Sequence, residues 1–117
     1  KASKKSKIGV TDSDVVFVRA EQPAEFVGGA DLLQAYLKEN IVYPQKAREN
    51  KIEGKVYISF IVEKDGSLSN IKVLRDIGYG CGEEAVRVMK NMHKWQPGRQ
   101  KGKPVRLQYI QPITFQL

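Results

Sequence analysis

Residues 53–76 read EGKVYISFIVEKDGSLSNIKVLRD, and this stretch decides the fold. Val56, Ile58, Phe60 and Val62 recur at every second position, the period of a strand with one buried face. Asp65-Gly66 follows, a pair that turns a hairpin because glycine takes positive φ without steric cost. Ile71 and Val73 carry the alternation back. An antiparallel hairpin is predicted, with one face on a core and the other toward water.

Toward the N-terminus, DLLQAYLKEN (31–40) sets Leu33, Tyr36 and Leu37, and then Ile41, at helical spacing, with Asp31 near the start. Pro44 suits the first turn of a second short helix over PQKAREN (44–50). Upstream, DVVFVRAE (14–21) is a β-branched run that predicts a strand, and Pro23 with Gly28-Gly29 punctuates the chain behind it.

Toward the C-terminus, GYGCG (78–82) breaks the chain and EEAVRVMKNMHKW (83–95) predicts an amphipathic helix. Ala85, Val88, Met89 and Met92 share its apolar face, and Glu83, Glu84 and Lys94 suit the two ends of the helix dipole. Pro97-Gly98 ends it. In the final strand Val105, Leu107, Tyr109, Ile113 and Phe115 take one face, and Arg106, Gln108, Ile110, Pro112 and Thr114 the other. The order β-α-α-β-β-α-β predicts an α+β fold, a small antiparallel sheet of three to four strands packed against helices on one face.

A chain of 117 residues, 41% hydrophobic and 28% charged, reads as one soluble domain with its own core. No apolar run approaches the ~20 residues of a membrane helix, and the basic, polar N-terminus is no signal peptide. Residues 1–13, rich in Lys and Ser, read as the end of a flexible basic linker, and 14–117 as the domain. The missing initial Met predicts a fragment of a longer chain, with any targeting segment upstream. The net charge of +7 is uneven: residues 85–117 hold seven bases and no acid, whereas residues 10–84 are net acidic. That asymmetry suits an acidic partner, a nucleic acid or an anionic surface, or is simply a solvated face.

Catalytic constellations are absent from the sequence. Cys81 and His93, the lone cysteine and histidine, lie near opposite ends of one predicted helix, roughly 18 Å apart along its axis and too far for a dyad. His93 reads as a surface residue at a helix end, and Cys81 as buried. Glu83-Glu84 is better explained by the helix dipole than as a catalytic pair. No metal-ligand cluster, P-loop or dinucleotide fingerprint is visible, so no cofactor and no metal is expected. Trp95 reads as core, its indole N–H requiring a partner. GRQKG (98–102) spaces its glycines wrongly for an RNA-binding GxxG clamp, and no basic sheet face carries paired aromatics, so nucleic acid is not the expected partner.

From about Val15 to the end the chain resembles the C-terminal domain of TonB family energy transducers. The resemblance rests on an ordered set: Tyr43-Pro44 with Ala47-Arg48, Gly54 before VYISFIV, Asp65-Gly66, Ala85, W-x-P-G at 95–98, and G-K-P-V leading into a last strand with Pro112 and Phe115. Asn40-Ile41 stands where some members carry Gln-Pro, and Lys46 keeps a basic residue found after Tyr-Pro. The resemblance implies a periplasmic, non-enzymatic interaction domain. It implies a full-length protein anchored in the inner membrane by an N-terminal helix not present here, and coupled there to proton-driven motor proteins. It implies capture of the N-terminal TonB-box peptide of outer-membrane transporters by β-strand addition, so that proton-motive energy drives uptake, and it allows a homodimer by strand exchange. The alternatives are a regulatory partner-binding domain of the same type in a membrane sensor or peptidase, and a basic nucleic-acid-binding domain.

A terminal strand with an exposed edge invites pairing, and a peptide can add to it through main-chain hydrogen bonds. The expected docking edge is Arg106, Leu107, Gln108, Tyr109, Ile110 and Gln111, with Pro112 limiting how far pairing runs. Tyr43, Pro44 and Lys46 are expected beside it, and Arg106, with Lys101 and Lys103, is expected to favour an acidic peptide.

Overall fold

A computed structural model describes residues 15–92 and 95–117. The linker expected over 1–13 and the His93–Lys94 end of the third helix lie outside these residues. Three helices, α1 (Ala30–Asn40), α2 (Gln45–Glu49) and α3 (Cys81–Lys90), accompany the strands β1 (Val16–Phe17), β2 (Glu25–Phe26), β3 (Gly54–Val62), β4 (Leu68–Arg75), β5 (Trp95–Gln96), β6 (Gly98–Gln100) and β7 (Lys103–Phe115).

The hairpin is the centre of the fold. β3 pairs antiparallel with β4, and Val56, Ile58, Phe60 and Val62 are fully buried. Its turn is a three-residue loop, Lys64-Asp65-Gly66, closed by Gly66 N–H to Glu63 O at 2.8 Å and Glu63 N–H to Ser67 O at 2.8 Å. Gly66 takes φ 85°, and a Cβ there would sit 2.0 Å from the carbonyl oxygen of Trp95. On the return strand the register slips between Ser59 and Ile61, where Asn70 takes φ 50°. This bulge inserts one residue and turns Ile71 back toward the buried side, with Leu68 before it.

The α+β layer is as predicted, and the sheet is larger and mixed. Its order is β1-β7-β3-β4, with β6 also pairing β7, and β2 and β5 form a separate two-stranded ribbon. β7 pairs antiparallel with β3 over nine positions, from Gly54↔Phe115 to Val62↔Leu107. The run over 14–21 contributes only Val16–Phe17, which pair parallel with Arg106 and Leu107. That pairing makes β7 an interior strand at one end, where the sequence predicts a bare edge throughout.

α3 packs Ala85, Val88 and Met89 into the core, with Glu83 and Glu84 in its first turn. It stops at Lys90, short of the predicted 95. The Asn91 and Met92 amides bond back to the Val88 and Met89 carbonyls, a tighter closing turn. Trp95 instead pairs with Phe26 and donates its backbone N–H to Gly66 O at 2.7 Å. Its side chain is 2% exposed, as expected for core, with ring centroids 5.3 Å from Phe60 and 5.2 Å from Tyr109. The indole N–H finds its partner in Met92 Sδ at 3.2 Å.

Candidate functional site

β7 is built by alternation. Leu107, Ile113 and Phe115 are buried, Tyr109 is half-buried, and Gln108, Ile110, Pro112 and Thr114 are exposed. Gln111 falls on the inward side, buried, its amide donating to the Pro112 carbonyl at 2.9 Å.

The proline defines which way the backbone groups point. An antiparallel ladder alternates bonded and non-bonded pairs, and proline has no N–H to give. The unbroken register through Tyr57↔Pro112 therefore fits Pro112 at a non-bonded pair, and Gln108, Ile110 and Thr114 share its parity. Their backbone groups face away from β3. β1 occupies that side only at Arg106 and Leu107. Beyond Leu107, among the described residues, no strand pairs with this edge.

The expected docking residues thus divide. Arg106 and Leu107 are covered by β1, and Leu107 is 4% exposed. Arg106 is not a free cation: its Nε donates to Glu63 Oε1 at 2.7 Å and its Nη2 to Glu63 Oε2 at 3.2 Å. The Arg106 charge is thus already partnered within the domain. Lys101, in the β6–β7 turn, and Lys103, the first residue of β7, are exposed. Gln108, Ile110 and Pro112 lie on the open edge, and Ile110 is 49% exposed. Tyr109 turns inward, its ring 5.6 Å from Phe60.

Tyr43 is brought to the far end of this edge, its ring 5.6 Å from Phe115 in an edge-on contact, while its hydroxyl donates to the Ile52 carbonyl. Burial, then the nearby Cys81 and Glu53, raise its phenol above the ordinary value. Pro44 caps α2 and faces Gly80, the residue before α3. Lys46 is exposed on α2. Two contacts that the sequence does not reveal hold the segment before Tyr43. Val42 N–H donates to Glu84 Oε2 at 2.7 Å, and Arg87 Nη2 donates to the Asn40 carbonyl at 2.9 Å. Glu84 is accordingly held below the usual carboxylate range, by Arg87 above all.

A groove of about 500 Å³ opens between α1 and the end of β7. Leu37 and Ile41 form one wall and Phe115 the other, with Tyr43 between them and Lys38 and Gln34 also lining it. The helical spacing of Leu33, Tyr36, Leu37 and Ile41 reveals the helix but not the groove beside it. Among the described residues no group of three or more His, Cys, Asp or Glu is placed to hold a metal ion.

A comparison with curated proteins gives no significant match. Among solved structures, the chain is similar to the NMR structure of the Helicobacter pylori TonB C-terminal domain, at 25% identity and a TM-score of 0.58, covering 73% of this chain and 77% of that one. It is also similar to the NMR structure of the Pseudomonas aeruginosa TonB C-terminal domain, at 30% identity and a TM-score of 0.50, covering 65% of this chain and 77% of that one. The family model for the Gram-negative bacterial TonB protein C-terminal domain matches residues 39–117, from the end of α1 through all of β7. The chain belongs to the TonB C-terminal domain family.

Proposed function

We propose that this is the periplasmic interaction domain of a TonB-type energy transducer, and that it captures the TonB-box peptide of an outer-membrane transporter by strand addition along β7. The observation that carries the reading is the edge from Gln108 to Phe115, which among the described residues is flanked by β3 on one side only. Gln108, Ile110 and Thr114 turn their backbone donors and acceptors to that side, where no described strand pairs with them, and Pro112 interrupts the row of donors. Sheet edges with such groups are the sites of peptide capture by β-augmentation. The other sheet edge, β4, is less suited: two register shifts kink it, and Lys72 and Arg75 stand on it exposed. Family membership supports the cargo-uptake role, with the inner-membrane anchor and motor contact supplied by sequence upstream of this domain.

Ile110→Pro tests the reading. It shares the parity of Pro112, so it removes a donor from the open edge while leaving the β3 ladder intact. In an NMR titration with an acidic–aliphatic TonB-box-type peptide, the parent domain is expected to shift at Gln108–Thr114 and to gain amide-exchange protection there. The folded Ile110→Pro domain is expected to lose that binding at least tenfold. Unchanged binding by the folded variant would falsify strand addition at this edge.

A further inference from the structure

β1 stands on the same side of β7 as the edge beyond Leu107, since the sheet order is β1-β7-β3-β4. Arg106 shares the parity of Gln108 and Ile110, so its backbone donor and acceptor turn toward β1. The row of outward groups on β7 thus includes Arg106, and β1 covers that end of it. β1 holds its place through two register pairs, Val16↔Arg106 and Phe17↔Leu107, and through a half-buried Phe17 side chain packed against the core. β3 holds the opposite side of β7 through nine pairs. A strand edge accepts whichever partner supplies complementary backbone groups. A longer strand laid along β7 therefore competes with β1 for Arg106.

β1 is also placed so that it can leave alone. Behind it, Glu21 and Gln22 are fastened to β6 and the turn that follows. The Glu21 N–H donates to Gln100 Oε1 at 3.0 Å, and Glu21 Oε1 accepts from the Lys101 N–H at 2.7 Å. Gln22 and Arg99 exchange backbone bonds of 3.0 and 2.9 Å. Val18 and Arg19, between this clamp and β1, are exposed, Val18 at 77%. Arg106 is gripped by Glu63, next to β3, so β7 keeps its position when β1 departs. Resting on the strand-addition reading, we propose that β1 is a displaceable strap on the docking edge: a captured strand long enough to reach Arg106 takes the place of β1, and occupancy of the edge is thereby coupled to release of the segment before Val18. Linkage makes the coupling reciprocal. Whatever loosens β1 strengthens the binding of a strand that reaches Arg106, and leaves a shorter strand unaffected.

The test uses three acidic–aliphatic peptides: a heptapeptide long enough to span Gln108–Thr114, and two decapeptides that extend it by three residues at one end or the other, of which one reaches Arg106. Amide exchange and shifts are read by NMR, and affinity by anisotropy. In the parent domain the heptapeptide is expected to shift Gln108–Thr114 and to leave the Phe17 amide protected. The decapeptide that reaches Arg106 is expected to strip that protection, while the Gln22 and Arg99 amides stay protected, which separates release of β1 from unfolding. Phe17→Pro deletes the N–H that follows Val16, the one a slanted parallel pairing with Arg106 uses. This variant is expected to bind that decapeptide about five- to tenfold more tightly than the parent does, and the heptapeptide equally well. If Phe17→Pro does not fold, the protection of Phe17 in the parent decides alone. If the edge shifts while Phe17 keeps its protection under every peptide, or if folded Phe17→Pro gains nothing on either decapeptide, the strap is overturned and strand addition stands. Loss of Phe17 protection with the heptapeptide would likewise overturn competition for Arg106. If no peptide shifts the edge, strand addition fails and the strap falls with it.

Discussion

Arg106 grips Glu63 with two nitrogens, Nε at 2.7 Å and Nη2 at 3.2 Å from its carboxylate oxygens. Glu63 directly follows β3, Arg106 lies where β1 and β7 meet, and Ser69 of β4 donates its hydroxyl to the same carboxylate. One acid therefore fastens three strands at the hairpin end of the sheet. The hydrogen bond from Arg106 is the main reason the Glu63 carboxyl is held below the usual range.

Glu63→Gln is expected to lower stability by about 1 kcal/mol at pH 7, since both partners are about one-quarter exposed and a charged hydrogen bond there is partly screened. The folded-state pKa is depressed, so the wild-type contribution is complete above the ordinary carboxylate value of about 4.3 and disappears as pH falls through the folded value. Urea melts of both proteins should differ at pH 7, and the difference should shrink as the pH falls below the ordinary carboxylate value. A constant gap across that window would contradict the ion pair as its source.

Gly66→Ala should cost at least about 2 kcal/mol, because positive φ alone costs an L-residue roughly 1–2 kcal/mol. The new methyl group also meets the backbone oxygen of Trp95 at 2.0 Å. The Trp95 N–H to Gly66 O bond ties the hairpin turn to β5, so this variant should also change the near-UV circular dichroism of Trp95.

Phe60→Ala is expected to lose about 3–5 kcal/mol, the usual range for truncating a buried aromatic. Phe60 is fully buried, between Trp95 and Tyr109. Chemical denaturation would show the loss as a lower midpoint. A loss under about 1 kcal/mol would mean that the cluster closes over the cavity.

Cys81 should react slowly with a thiol reagent in the native domain and rapidly in urea. Its side chain is fully buried, and burial, followed by nearby Asp76, pushes its thiol above the ordinary value. The thiolate is the reactive form, so both effects protect it. Native labelling as fast as that of a free thiol would place Cys81 outside the core.

The parts of this fold that were legible in the sequence are those written in a local period. The β3 alternation, the Asp65-Gly66 turn and the apolar face of α3 each fit within about ten residues, and all three stand where the sequence predicts them. The parallel pairing of Val16–Phe17 with β7 has no such signature, because two residues cannot display a period and their partners lie about 90 positions away. Asn70 is similar: its bulge shows only in the odd spacing of Leu68 and Ile71. At the site, the alternation of β7 and the parity of Pro112 were readable, whereas the engagement of Arg106 by Glu63 depends on a contact spanning 43 positions. Gln111 reads as a solvent-facing residue by type but as an inward one by parity, and parity prevails because its amide can bond the adjacent carbonyl.

The long register between β3 and β7 also governs how the domain bears a load. A pull directed along β7 is resisted in shear by nine residue pairs at once, whereas a pull across the sheet would open them one after another. The two-pair contact with β1 and the three-pair contact with β6 are far shorter. The molecule is therefore stiffest along the axis of its last strand, and under tension the short flanking pairings yield before its central ladder does.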